Sequence, residues 1–352
     1  MAQARDRSRI TQSFAGLIAL ATLLVGMIQP IKTNAKDGLP YWRVEFPATD
    51  FTKRIIDLKD IRFDGPRRDS IPPIWSPTFI PAAKAQSLGA LEPVISIRIG
   101  KNARAYPLSI LLWHEIVNDR VGNTPLVVTY CPLCNSSGVF ERQLPRAQGA
   151  KALLFGNTGR LRNFDMIMYD RLTQSWWQQY TGEAIIGKLA GTRLQPVPSR
   201  VEAFNRFRAR HPEGQVLVPN DPKARPYGST PYVRMDSSAG AGLDIFELPK
   251  GVRPYDRVVA VGRNAWTLKM LKRRGVIADE GLVLRWQRGQ NSVHDTKVIT
   301  FGRDVGNVTV KRHDAASDTL LDVVHDVAFA FAFKAFEPNG ALYYDPPRKK
   351  TE

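Results

Sequence analysis

Apolar and polar residues alternate along Val94-Ile95-Ser96-Ile97-Arg98-Ile99, a period of two that predicts a half-buried strand. Gly100-Lys101-Asn102 then turns the chain, so Ala103 to Tyr106 is predicted as the return strand of a hairpin. Pro107 suits the first turn of a helix, where its missing N–H would have no partner anyway, and the helix is predicted from Leu108 to His114. His114 and Glu115 therefore fall at its end. After a Gly-Asn-Thr-Pro turn, Val127 to Tyr130 joins β-branched and aromatic residues in one run, which reads as a buried strand. Further strands are predicted over 139–142, 152–155, 166–170 and 176–179, with turns at 156–159 and 171–175. Ile185 to Leu194 reads as a Gly-punctuated strand pair, and Val201 to His211 as an amphipathic helix stopped by Pro212.

The pattern repeats. Leu126 to Ser136 can be laid on Leu282 to Ser292 without a gap, and Ile99 to Ala103 matches Val261 to Ala265. The second copy has Gln287 and Gln290 where the first has Cys131 and Cys134, and no histidine at the place of His114. This predicts a mixed α/β (α+β) fold of many short strands, in two related halves produced by internal duplication. The expected organisation is a signal peptide at 1–35 and a Pro-, Asp- and Arg-rich wrapping segment at 36–90. The first half then runs 91–219, a linker or long excursion 220–250, and a second, degenerate half 251–345.

Hydrophobic content of 43% is enough to bury a core, and 24% charged residues is typical of a globular chain. Lys and Arg outnumber Asp and Glu by 50 to 33, a net charge of +17. Basic clusters such as Lys272-Arg273-Arg274 and Arg348-Lys349-Lys350 raise the question of a polyanion, yet no aromatic-interleaved nucleic-acid motif accompanies them. Arg5, Arg7 and Arg9 precede an apolar run of fifteen residues from Phe14 to Ile28, and Thr33-Asn34-Ala35 offers a small-residue cleavage site. That run is short of the roughly 20 residues a membrane span needs, so cleavage is favoured over an uncleaved anchor. The expected location is the periplasm or outside the cell, where a basic protein meets acidic envelope components rather than nucleic acid.

The chemistry concentrates at the exit of the 127–130 strand, where Cys131 and Cys134, the two cysteines of the chain, form a Cys-Pro-Leu-Cys pair. A bond between them would close a tiny loop and add little stability, so a structural disulfide alone is a poor reason for the pair. The runs Arg-Ala-Tyr-Pro-Leu (104–108), His-Glu-Ile-Val-Asn-Asp (114–119) and Thr-Tyr-Cys-Pro-Leu-Cys-Asn (129–135) are followed by a long run, 168–178, and by Thr-Gly-Glu-Ala-Ile (181–185). Together they resemble the family called domain of unknown function 3179, over roughly residues 65 to 340. The resemblance implies that the matched runs share a site, and assigns no activity.

Three functions fit these residues. In the first, Cys131, Cys134 and His114 hold a copper or zinc ion, since two soft thiolates and an imidazole suit either metal. Glu115, Asp165, Asp170 and His325 are further ligand candidates, Asp119 would orient His114, and Asp170, Arg171 and Trp177 would stand near the opening. Such a centre could serve a metal-dependent oxidoreductase. In the second, the cysteines exchange electrons as a thiol–disulfide pair, although the turn at Asn135 to Gly138 supplies no helix N-terminus to activate Cys131. In the third, the protein is a non-enzymatic envelope binding or structural module, stapled by the cysteines, with Trp176, Trp177 and the basic surface gripping a ligand. His211, His294 and His313 read as surface or capping residues. A zinc-protease helix, a phosphate loop and a dinucleotide fingerprint are all missing from the sequence.

Overall fold

β-Branched and aromatic residues come in runs rarely longer than eight, each closed by Gly, Asn or Asp, and such runs pair as short antiparallel strands. The computed structural model describes residues 38–62, 65–144, 151–240, 243 and 246–346, all within one compact unit. The candidate signal segment at 1–35 and the basic cluster at 348–350 lie outside the described residues.

The mixed α/β expectation is corrected: the chain is mostly β, with 39% strand and 16% helix, in five small sheets with a five-bladed, propeller-like arrangement. The helices at 39–45, 108–114, 204–210, 268–274 and 330–336 each have seven residues. Two turns cannot stand alone in water, where about 12 residues are marginal, so these helices persist only by packing. Leu108, Ile110, Leu111 and Leu112 do this for the second of them, all buried against neighbouring strands. A hydrophobic period of 3.6 sustained over so few residues carries little information, and the sequence predicts only the helices at 108–114 and, in part, 204–210 for that reason.

One sheet orders strands Gln195–Pro196, Ser136–Glu141, Thr124–Cys131 and Ile116–Val121. Beside it, Phe155–Arg162, Asp165–Asp170, Trp176–Gln178 and Glu183–Ile186 form an antiparallel meander, extended by Ile61–Arg62. In a third sheet, the hairpin Pro93–Ile99 with Asn102–Pro107 takes Arg200–Ala203 antiparallel on one side and Gln215–Val218 parallel on the other. That arrangement recurs where the hairpin Arg257–Val261 with Asn264–Thr267 takes Asp326–Phe329 antiparallel and Ala341–Tyr343 parallel. Each hairpin runs into a seven-residue helix and then a strand pair, Ile116–Val121 with Thr124–Cys131 in one case, Val276–Asp279 with Leu282–Gln287 in the other.

Two local expectations change. The turn predicted at 156–159 lies inside strand Phe155–Arg162, whose register shifts between Asn157 and Arg160. Gly159, at φ 73°, bends this bulged strand instead of ending it. The helix predicted from Val201 begins only at Phe204, because Arg200–Ala203 pairs with Pro93–Ile99.

Candidate metal centre

Strand Thr124–Cys131 is buried at seven of its eight positions, with both faces covered, and delivers Cys131 to a four-residue loop that pairs back at Ser136. Asn135 ends the loop at φ 51°, a left-handed conformation that Asn tolerates better than most residues. Its side chain is pinned at both ends: Tyr130 donates to Oδ1 at 3.0 Å, and Nδ2 donates to the Val327 carbonyl at 2.7 Å. Both thiols are free and buried.

Residues from the later part of the chain clamp this loop. Phe329 N donates to Cys134 O at 2.9 Å, and Ser137 N donates to Asp326 Oδ1 at 2.9 Å. His294 Nε2 lies 2.8 Å from the carbonyl of Pro132, between the two cysteines. A carbonyl only accepts, so Nε2 carries the proton, and Nδ1 accepts from Arg257 at 3.3 Å. Burial, with Arg257 adding to it, lowers the His294 pKa to about 3 and keeps the ring neutral. His294 is thus wholly buried, not a surface or capping residue.

Asp165 arrives from another sheet, by a hairpin in which Arg162 faces Asp165. Its two-residue turn, Asn163-Phe164, has φ of 54° and 62°. Hairpin turns of this kind favour positive φ at both positions, which costs about 1–2 kcal/mol at a residue as bulky as phenylalanine. The strained Phe164 packs against Phe246 and Phe331, and its carbonyl accepts from Cys134 Sγ at 3.4 Å. Asp165 Oδ2 accepts from Gln178 Nε2 at 2.7 Å and from Tyr180 N at 3.0 Å, while Oδ1 is buried with no hydrogen-bond partner.

The two sulfurs and a carboxylate oxygen of Asp165 all lie within 4.8 Å of one another. Burial lifts the Asp165 pKa to about 6 against the pull of Gln178 and Tyr180, and pushes both thiols up. Glu115 is close enough to disfavour the Cys131 thiolate, and burial raises its own pKa to about 8, opposed by a hydrogen bond from Asn157. Asp326 is raised to about 7 by burial, against the hydrogen bonds from Ser137 and Val327. Desolvated anionic forms are disfavoured at each of these groups, and a bound cation would reverse that preference.

The fit to a metal ion rests on this donor set. Two thiols beside the Asp165 carboxyl, with Gln178 and Tyr180 N fixing its other oxygen, make a three-donor cluster that would suit a borderline cation such as zinc.

The remaining expected residues are distributed as follows. His114 is outside the cluster, and both ring nitrogens are engaged: Nδ1 with Pro72 O and Nε2 with Tyr227 Oη, each at 2.7 Å. The Pro72 carbonyl fixes the proton on Nδ1, so Tyr227 donates to Nε2, at one wall of a cavity of about 360 Å³. Glu115, next along the chain, is buried beside Asn157 at φ 56°, where the equivalent helix end has Gly275 at φ 73°. Asp119 pairs with Arg104 and accepts from Tyr106 Oη at 2.6 Å, and is not paired with His114. Asp170 accepts from Thr173 N at 2.6 Å and from Trp177 Nε1 at 3.0 Å, and both Asp170 and Trp177 are fully buried rather than at an opening. Arg171 covers the Trp75 ring at 5.0 Å. His325 Nδ1 bonds Val323 O at 2.8 Å, and its neighbour Asp326, which the sequence reading passed over, touches the cysteine loop through Ser137. His294, which the sequence suggests is a surface or capping residue, and Asn157 and Tyr180, which no local signal marks, each reach the site from a distant segment.

A mostly β chain presenting a buried Cys/Cys/Asp cluster is what the fold and site define. A family model described as "Protein of unknown function (DUF3179)" matches residues 68–340, and the chain belongs to that family. No curated protein and no solved structure matches it. Among the described residues, no helix is long and apolar enough to cross a membrane.

Proposed function

We propose that this is an exported metal-binding protein whose centre is formed by Cys131, Cys134 and Asp165, and that zinc is the metal it fits best. The observation that carries the proposal is the convergence of the three ligand atoms within 4.8 Å, together with the partnerless Asp165 Oδ1. A carboxylate suits zinc alongside thiolates, whereas copper(I) selects sulfur ligands and gains little from Asp165. Three protein ligands leave a fourth position that a water could fill, and the burial of all three favours a structural over a catalytic role for the ion. Within it, Gln178 and Tyr180 N orient the carboxylate, and Glu115 holds a proton beside Cys131.

The thiol–disulfide reading has less support. A redox cysteine is made reactive by a lowered pKa and by exposure, and both thiols here are buried and pushed upward. The test is elemental analysis of protein purified without chelator. One zinc per chain is expected, lost in the Cys131→Ser/Cys134→Ser variant. Metal-free wild-type protein whose stability is indifferent to added zinc would contradict the proposal.

A further inference from the structure

The cavity of about 360 Å³ beside His114 lies between the loop from Pro72 to Ser76 and the segment from Asn220 to Tyr227, and no residue of the Cys/Cys/Asp cluster lines it. Pro72, Pro73, Ile74 and Trp75 make it largely apolar, and His114 and Tyr227 meet at one side. Sites for small molecules are usually about 300–1,000 Å³, mostly apolar, with a few convergent polar groups, and this cavity has those properties. Its walls are held in place. Ile74 N donates to Ile116 O at 2.8 Å and Asn118 N donates to Ile74 O at 2.9 Å, so the proline loop is tied along strand Ile116–Val121. Opposite, Asn220 Nδ2 donates to Ser76 O at 3.1 Å and Oδ1 accepts from Thr78 at 2.8 Å, while Ile299 N donates to Gly228 O at 3.0 Å. Residues 221–224, between these ties, are exposed.

Hydrogen bonding in the His114–Tyr227 pair has one direction. The Pro72 carbonyl keeps the proton on Nδ1, so Nε2 accepts from Tyr227 Oη, and the two rings lie 5.8 Å apart with planes within 18°. Burial, and Arg225 after it, holds the His114 pKa below its ordinary value, which preserves the neutral, accepting ring. Tyr227 has committed its one proton to His114, and no described residue donates to its oxygen. Toward a ligand the pair is therefore an acceptor. The charges nearby are mixed. Arg171 over the Trp75 ring and Arg225 beside the pair disfavour a cation, whereas Asp221, the one charged residue of the lining, disfavours an anion. A neutral molecule fits that balance best.

We infer that this cavity binds a small neutral molecule of the phenol class, whose flat apolar body lies against Trp75 and the two prolines and whose hydroxyl donates to Tyr227 Oη. The inference stands apart from the proposed metal centre and does not depend on it. A ring without a donor would strip water from the Tyr227 oxygen and put nothing in its place, and a site built to pair a hydroxyl rejects an analogue that lacks one. A ring with a hydroxyl extends a chain of hydrogen bonds from ligand to Tyr227, to His114 and to the Pro72 carbonyl, in which each bond polarises the next. The aromatic and proline walls select the flat body.

The test is titration calorimetry of the full chain with 4-methylphenol as the probe and 4-methylanisole, in which a methyl group replaces the hydroxyl proton, as its comparison. The phenol should bind with a dissociation constant of about 0.1–1 mM, within reach of so small a ligand, and the anisole at least about tenfold more weakly. 4-Methylbenzoate and 4-methylbenzylammonium should both bind more weakly than the phenol. Tyr227→Phe keeps the ring and removes the acceptor, and should bring phenol and anisole within about threefold of each other. Ala224→Phe places a large side chain at an exposed position of the lining, where folding is not at stake, and should abolish binding of both. Equal affinity for phenol and anisole in the wild-type protein would overturn the role of Tyr227, and tighter binding of either ion would overturn the neutral class. Absence of 4-methylphenol binding, or binding that survives Ala224→Phe, would overturn the site.

Discussion

Asp165 is held on one oxygen by Gln178 and Tyr180 and left bare on the other, in surroundings that disfavour its charge. The thiols of Cys131 and Cys134 are the groups beside the carboxyl, and a cation held between them and the bare oxygen would account for both features. Asp165→Asn preserves the shape and an acceptor for Gln178, so it removes charge more than structure. Zinc affinity, measured by competition with a chelator, should fall by at least about 100-fold, while the metal-free variant gains stability near neutral pH. Glu115 makes a second case. It occupies a left-handed position that glycine fills at the end of the helix Leu268–Arg274, so the carboxyl is retained at a conformational cost of about 1 kcal/mol. Glu115→Gln keeps an acceptor for Asn157 and deletes the titration, and should flatten the pH dependence of metal-free stability set out below.

Among the elements, the cysteine loop is the one that depends most on others. Its carbonyls and side chains are met by His294, Val327 and Phe329, so the thiol spacing is fixed by residues that carry no thiol themselves. Replacing His294 by Ala leaves the Pro132 carbonyl with only the Asn135 N–H, at 3.2 Å, as donor, and unfolding by denaturant should show a loss of about 0.5–1.5 kcal/mol. His294→Gln can restore a donor and should recover part of it. An unchanged midpoint for His294→Ala would show that the loop holds its shape unaided. The strand at 127–130, the hairpin after Ile99 and the helix from Leu108 were legible, because each is written in adjacent residues. Strand Phe155–Arg162 was not, since Gly156-Asn157-Thr158-Gly159 has turn composition and becomes a bulge only through pairing with Asp165–Asp170. Likewise, the cysteine pair was legible and its third ligand was one name among several. His114 stood in the same matched run as Glu115, yet consecutive residues at a helix end face different surroundings, and only Glu115 turns toward the cluster.

Across the whole molecule, buried acids set the response to pH. Asp165, Asp326 and Glu115 have native pKa values of about 6, about 7 and about 8, against ordinary values of 3.8, 3.8 and 4.5. Each therefore holds a proton in the folded chain over a range where the unfolded chain has released it. Stability of the metal-free protein should be greatest below about pH 4 to 4.5 as far as these three groups determine it, and should fall as pH rises to about 8. Metal-loaded protein should show the opposite trend over the same range, because ligands must lose protons to bind, and thermal melts with and without zinc would display the crossing. The mostly β architecture was the largest feature hidden in the sequence. Among the described residues the five helices have seven residues each, too few to set a clear period, and only the pairing of segments far apart in sequence shows that sheets carry the fold.

X-ray absorption at the zinc edge of the loaded protein tests the central claim most directly. Two sulfur scatterers at about 2.3 Å with the remaining positions filled by oxygen are expected, falling to no sulfur in the Cys131→Ser/Cys134→Ser variant. A shell of nitrogen and oxygen alone in the wild-type protein would contradict the account.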